Sequence, residues 1–191
     1  MKNVEVEIQV EIENIKPLAD LLAKDGKFLF SEHQVDHYYT PQHRDFKAIN
    51  PINEWLRLRN SDGKYSITYK NWHRGEDKKS SHCDEYETTI GEIDQLEKIL
   101  SVLNFETVVI VDKKRQAYLY KDYEIALDEV KDLGNFVEVE YKGTKVRDAK
   151  EIAAEIKEFL KVLNLGRIKL NSVGYAFKLL NPDGDHLEEE L

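Results

Sequence analysis

The chain opens with a strict alternation of apolar and polar residues. The run VEVEIQVEIE, residues 4–13, places valine and isoleucine on one side and glutamate or glutamine on the other. A period of two predicts a β-strand with one apolar face. The later segments that read as strands are QVDHYY, EWLRLRN, KYSITYK, CDEYETT, ETVVIVDKKRQAYLY, YEIALDEV and NFVEVEYK. Short turns separate several of them, which is typical of antiparallel hairpins.

Three other segments carry apolar residues at helical spacing. They are KPLADLLAKDG, which ends at Gly26, GEIDQLEKILSVLNF, and DAKEIAAEIKEFLKVLNL with Asp148 as its N-cap. Each has an apolar stripe that needs a partner surface. The order of strands and helices predicts an α+β fold with one large antiparallel sheet, whose apolar face the helices cover.

The second face of nearly every predicted strand carries charge. The residues are Arg57 and Arg59, Lys70, Glu85 and Glu87, Lys113 and Arg115, Asp128, Glu138 and Glu140, together with Glu5 and Glu7 of the first strand. In an open sheet this face would simply be solvated. Seven or eight strands can instead close, which would turn the charged face into the lining of a channel.

A charged interior points to a ligand, because buried charges are costly unless they are paired. Arginine and lysine suit phosphate oxygens, whereas clustered carboxylates suit a divalent cation such as Mg²⁺ or Mn²⁺. Together they indicate a polyphosphate with its metal ions.

Composition limits the other classes of function. A length of 191 residues fits one domain, and a net charge of −9 argues against affinity for nucleic acid or an anionic membrane. The single cysteine, Cys83, can form neither an internal disulfide nor a zinc site. The chain shows neither a membrane-length apolar run nor a signal peptide, so we expect a cytoplasmic protein. The predicted domain covers residues 1–180, and the acidic segment 181–191 reads as a flexible tail.

The charged motifs, taken in order, resemble the CYTH superfamily, which contains CyaB-like (class IV) adenylyl cyclases and thiamine triphosphatases and is also called the triphosphate tunnel metalloenzymes. The matching segments are Glu5-x-Glu7, QVDHYYTPQHRDF with Asp36 and Tyr38, WLRLR, YSITYK, DEYE, DKKR, LDEVKDLGNFVEVE and NSVGYAFKLL. The first motif of the family ends in lysine, and this chain has Gln9 there.

The resemblance implies an eight-stranded antiparallel β-barrel with a charged interior and helices packed outside. Its implied triphosphate-binding residues are Arg57, Arg59, Lys70, Lys113 and Arg115. Its implied ligands for Mg²⁺ or Mn²⁺ are Glu5, Glu7, Glu87, Asp128, Glu138 and Glu140, and catalysis is assigned to Glu5, Glu7, Lys70 and Arg115.

Two reactions fit these residues. Attack by the ribose 3′-hydroxyl of ATP on the α-phosphate gives cyclic AMP and pyrophosphate, and similarity to the CyaB-like branch favours this cyclase reaction. Attack by water on the terminal phosphate makes a triphosphatase acting on thiamine triphosphate, a nucleoside triphosphate or tripolyphosphate. Gln9 leaves open a third, noncatalytic phosphate-binding role. The expected partners are the triphosphate and a second copy of the chain, without nucleic acid or membrane.

Overall fold

The computed structural model describes residues 6–74, 80–145, 147–184, 186 and 189–191, with the backbone alone at 74 and 80–82. The strands are β1 Glu7–Ile12, β2 Lys27–Pro41, β3 Glu54–Ser61, β4 Lys64–Arg74, β5 Ser80–Ile90, β6 Phe105–Tyr120, β7 Tyr123–Val130, β8 Gly134–Tyr141, β9 Ile168–Leu170 and β10 Glu189–Glu190. The α-helices are α1 Lys16–Asp25, α2 Ile93–Val102, α3 Ala149–Lys161 and α4 Tyr175–Leu180. The predicted mixed α+β architecture is therefore confirmed.

The prediction of a closed eight-stranded barrel is wrong. Within the described residues, ten strands form one sheet in the order β10-β9-β1-β8-β7-β6-β2-β3-β4-β5, which is open at both ends. The reason lies at β1, which pairs antiparallel with β8 on one edge and with β9 on the other. Because both edges of β1 are occupied, it has no edge left to close onto β5. Strands β9 and β10 are too short to show a period of two in the sequence.

The chain divides into two compact units. The first unit contains Met1–Glu32, Lys113–Ser172 and Asp185–Leu191, and the second contains His33–Asp112 and Val173–Gly184. Each unit has its own apolar core and its own set of charged side chains.

Helices α1 and α3 cover the apolar face of the first unit, as predicted. Their buried residues pack with alternate residues of β1, β7 and β8 in one cluster; these residues are Val10, Ile12, Leu18, Leu22, Ile125, Leu127, Val137, Val139, Ile152, Ile156 and Leu160. Asp148 starts α3 by accepting hydrogen bonds from the backbone N–H groups of Lys150 and Glu151. Removing this apolar surface from water stabilises the unit. The polar face of the strands lies on the side away from the helices.

Helix α2 has the same role in the second unit. Leu100 of α2 packs with Tyr39 of β2 and Leu58 of β3, and Leu96 lies against the same cluster. The short helix α4 lies in the same unit, and the sequence did not predict it because six residues are too few to show a helical stripe. None of the helices in the described residues is long and apolar enough to span a membrane.

Candidate functional site

Strand pairing brings the predicted charged residues of the first unit onto one face. Gln9 of β1 lies opposite Glu138 of β8, and Arg115 of β6 lies opposite Asp128 of β7. Since alternate residues of a strand share a face, Lys113 lies on the same side as Arg115. This face contains four of the predicted site residues in neighbouring positions.

Arg115 is the centre of this group. Its Nε and Nη2 donate to the two carboxylate oxygens of Asp128, both at 2.7 Å. Its Nη1 and Nη2 donate to the two oxygens of Glu138, both at 3.1 Å. One planar guanidinium therefore bridges two carboxylates, a geometry that a lysine could not reproduce.

Asp128 and Lys113 are the most deeply buried members of the group. The side chain of Asp128 is 0% exposed and that of Lys113 is 4% exposed, with Nζ 3.2 Å from Oδ2 of Asp128. A carboxylate this buried is stable as an anion only because two cations contact it.

Glu138 joins this pair to the first strand. Its Oε2 accepts a hydrogen bond of 2.8 Å from Nε2 of Gln9, and Oε1 of Gln9 accepts one of 2.5 Å from Nδ2 of Asn171. Burial favours the neutral acid and acts to raise the pKa of Glu138, but the charges of Arg115 and Lys113 outweigh it and lower the pKa below its usual range. Glu138 is thus held as an anion.

Three further carboxylates stand in register beside this group. Glu140 lies opposite Glu7 on β1 and opposite Glu124 on β7. Like charges directly across a sheet repel one another, and Lys142 relieves part of this repulsion through a contact of 2.6 Å with Glu140. Glu124 was absent from the predicted site, although the period of two places it on the same face of β7 as Asp128.

The second unit contains a charged group built on β2, β3, β4 and β5. Asp36 lies opposite Arg59, and its two oxygens accept hydrogen bonds from Nε and Nη2 of Arg59, both at 2.7 Å. Nη1 of Arg57 lies 3.9 Å from the same carboxylate. Asp36 is buried, so it fixes the guanidinium of Arg59 in a two-pronged contact and holds Arg57 nearby.

The outer strands of this unit complete the group. Arg57 donates to the hydroxyl of Thr68 at 2.9 Å, and this hydroxyl donates to Glu87 at 2.6 Å. Lys70 contacts Glu85 at 3.0 Å. The side chain of Glu87 is 50% exposed, whereas that of Arg57 is 12% exposed. The acidic end of this group therefore faces water, and its arginines lie deeper.

Tyr38 lies among these charges on the same face. Its ring packs edge-on against Trp55, with ring centroids 5.4 Å apart. Burial raises the pKa of Tyr38, Asp36 raises it further, and Arg57 and Arg59 oppose the shift. The phenol is consequently a neutral hydrogen-bonding group at neutral pH.

The structure thus assembles most of the predicted residues into two groups. Lys113, Arg115, Asp128 and Glu138 meet in the first unit, and Arg57, Arg59, Lys70 and Glu87 lie on one face of the second. Glu5 lies outside the described residues. The sequence did not predict Asn171, Thr68 and Asp36 as site residues, although Asp36 lies in the motif QVDHYYTPQHRDF. The sequence analysis selected charged residues that repeat at every second position of a strand, and none of these three residues belongs to such a pair. Their contacts become visible only when the strands are paired.

The predicted metal ligands supply oxygen atoms of the kind that Mg²⁺ and Mn²⁺ prefer. In the described part of the chain, no three His, Cys, Asp or Glu side chains converge closely enough to hold a metal ion. Asp128 and Glu138 direct their oxygens to Arg115, whereas Glu7 and Glu140 lie beside them on the same face. The carboxylate chemistry thus fits a divalent ion, but the described carboxylates do not meet at one point. Glu7, Glu138 and Glu140 lie in neighbouring positions on one face.

Comparison with known proteins gives matches over nearly the whole chain. Residues 1–175 match the CYTH domain family. A protein of Methanocaldococcus jannaschii named a “putative adenylate cyclase” is 33% identical over 165 residues, which are 86% of this chain and 91% of that protein.

Solved structures show the same fold. The PH1819 protein of Pyrococcus horikoshii is similar with a TM-score of 0.74 and 28% identity, over 94% of this chain and 99% of that one. The Hippeastrum protein HpAC1, described as a “putative adenylyl cyclase” with a dominant triphosphatase activity, has a TM-score of 0.66 and 18% identity, over 94% of this chain and 96% of that one. At that identity HpAC1 supports the fold alone.

Proposed function

Because this chain belongs to the CYTH family, we propose that it is a divalent-metal-dependent enzyme acting on a triphosphate-containing substrate, and that it converts ATP to cyclic AMP and pyrophosphate. The similarity to the M. jannaschii protein favours the cyclase reaction. A triphosphatase reaction is the second candidate, because the resemblance to the CYTH superfamily also includes thiamine triphosphatases. Both reactions begin with the same bound triphosphate.

The observation that carries the proposal is the pairing of cations with carboxylates on the polar face of each unit. Arg115 contacts Asp128 and Glu138, Lys113 contacts Asp128, and Arg59 contacts Asp36, at distances of 2.7–3.2 Å. A metal–triphosphate complex carries both positive and negative charge. It can therefore replace the carboxylate partners of the cationic side chains and the cationic partners of the carboxylates. Phosphate oxygens would take donors of the arginines and lysines, and the metal would take carboxylate oxygens.

The residues would act mainly by positioning and by electrostatic stabilisation, which dominate catalysis of phosphoryl transfer. Arg57, Arg59 and Lys70 would hold phosphate oxygens in the second unit, as would Lys113 and Arg115 in the first. Glu7, Glu138 and Glu140 would hold the metal, with Asp128 and Glu87 as further carboxylates. A bound divalent ion would neutralise phosphate charge and polarise the phosphorus centre.

Product analysis tests the proposal. The pure protein is incubated with Mg²⁺ or Mn²⁺ and ATP, thiamine triphosphate or tripolyphosphate, and cyclic AMP, pyrophosphate and orthophosphate are separated. Equal amounts of cyclic AMP and pyrophosphate from ATP support the cyclase, and orthophosphate without cyclic AMP supports the triphosphatase. Absence of every product with both metals would overturn the enzymatic proposal.

Replacing Arg59 with lysine is expected to weaken substrate binding by about tenfold or more, because lysine keeps the charge but loses the planar two-pronged contact. The measurement is the KM for the substrate that the product analysis identifies. Arg44→Lys is the matched control, since Arg44 contacts Glu54 in the same unit and its side chain is 60% exposed. Equal KM values for Arg59→Lys and the control would remove Arg59 from the binding site.

A further inference from the structure

Gln9 stands at the position where the first motif predicts lysine, and its amide connects two strands. Nε2 of Gln9 donates to Glu138 on β8 at 2.8 Å, and Oε1 of Gln9 accepts from Asn171 at 2.5 Å. Asn171 directly follows β9 and is buried. The side chain of Gln9 is therefore held from both ends.

The direction of the Gln9 amide follows from its two neighbours. Glu138 bridges to Arg115 as an anion, and an ionised carboxylate can only accept hydrogen bonds. Gln9 must then present its NH₂ group to Glu138, which turns its carbonyl oxygen toward Asn171. Asn171 satisfies this oxygen only through its own NH₂ group. Reversing either amide would place two acceptors or two donors against each other.

The backbone fixes Asn171 where this contact requires it. The backbone N–H of Asn171 donates to the carbonyl oxygen of Gln9 at 2.9 Å, continuing the ladder in which Leu170 pairs with Val10. Side chain and backbone of Asn171 thus contact the same residue. These two contacts make Asn171 suited to orient Gln9.

We propose that Asn171 is a positioning residue, which locks the Gln9 amide with its donor toward Glu138 and thereby keeps Glu138 oriented for the metal–triphosphate complex. The inference rests on the proposed function, in which Glu138 helps to hold the metal. The Gln9–Asn171 pair supplies the hydrogen bond that a lysine at position 9 would make, without its positive charge.

Replacing Asn171 with aspartate tests the orientation. The introduced carboxylate can only accept, so Gln9 would turn its NH₂ group toward it and its oxygen toward Glu138, disturbing the Glu138 side chain. Loss of an outer partner of a metal-holding residue costs about 10–100-fold in metal affinity or activity. We therefore expect turnover to fall about tenfold or more at fixed Mg²⁺. Asn164→Asp is the control, because it adds the same charge at an exposed position of the same unit.

Combining Gln9→Lys with Asn171→Asp tests whether a lysine at position 9 restores the turnover lost in Asn171→Asp. A lysine ammonium can donate to both carboxylates at once, so the double variant is expected to recover turnover to within about threefold of the native protein. A purely structural role for Asn171 would not be repaired by adding a charge at position 9. Full activity of Asn171→Asp, or a folded double variant no better than Asn171→Asp alone, would overturn the proposal.

A second readout separates this inference from the proposed reaction. The side-chain NH₂ signals of Gln9 in ¹H–¹⁵N spectra of the metal-free protein should shift in Asn171→Asp and remain in place in the Asn164→Asp control. If the native protein has no turnover, this shift still supports the orienting contact while the enzymatic proposal fails. Should Asn171→Asp not fold, Asn171→Leu removes the same donor, and unmoved Gln9 signals there would contradict the inference.

Discussion

Replacing Asp128 with alanine is expected to lower the free energy of unfolding by about 3–5 kcal/mol, because it removes the buried carboxylate that two buried cations contact. Lys113 and Arg115 both contact Asp128, whose side chain is 0% exposed. The measurement is the urea unfolding transition followed by circular dichroism. This is the largest stability effect that the charged faces predict.

Glu129→Ala is the matched control for this experiment. Glu129 is the next residue on β7, its side chain points to the opposite face, and it is exposed. Its replacement should change the free energy of unfolding by no more than about 0.5 kcal/mol. A loss below about 1 kcal/mol for Asp128→Ala would mean that the buried contacts of Arg115 and Lys113 do not support the fold.

Replacing Glu138 with glutamine is expected to reduce metal-dependent turnover on the order of 10²-fold or more, because the substitution removes the negative charge that would hold the metal. Glutamine keeps the side-chain size and one acceptor for Arg115, so the fold should persist. Alanine would be a poorer test, since Glu138 also contacts Arg115 and Gln9. Turnover is measured over a range of Mg²⁺ and Mn²⁺ concentrations.

Lys142→Met serves as the control for Glu138→Gln. Lys142 lies beyond the end of β8 and contacts Glu140 at 2.6 Å, so its replacement changes the local charge without removing a carboxylate. It should change turnover far less than Glu138→Gln does. Unchanged turnover in Glu138→Gln at every metal concentration would remove Glu138 from the proposed site.

The period of two was sufficient to assign the charged and apolar faces of single strands. Arg57 and Arg59 share a face with Thr68, and Arg115 shares one with Glu138, as alternation predicts. Apolar stripes likewise predicted that helices cover the other face, because a helix buries its stripe only against an apolar surface. These features depend on residues close together in the sequence.

Features that depend on distant residues could not be predicted in this way. Whether the sheet closes depends on β9, a strand of three residues that pairs with the edge of β1. The contact between Gln9 and Asn171 joins residues 162 positions apart. Such contacts follow from strand order and register, which local periodicity does not contain.

We expect the charged polar faces, and no other charged surface of the described chain, to bind a triphosphate. The most direct measurement follows the side-chain Nε–H signals of arginine in ¹H–¹⁵N spectra while tripolyphosphate is added with Mg²⁺. Arg147, paired with Glu155, and Arg167, paired with Glu13, are internal controls, because their carboxylate partners belong to neither group. We predict saturable shifts for Arg57, Arg59 and Arg115 and none for the controls. Shifts confined to the controls, or no saturable shift at all, would contradict triphosphate binding at these faces.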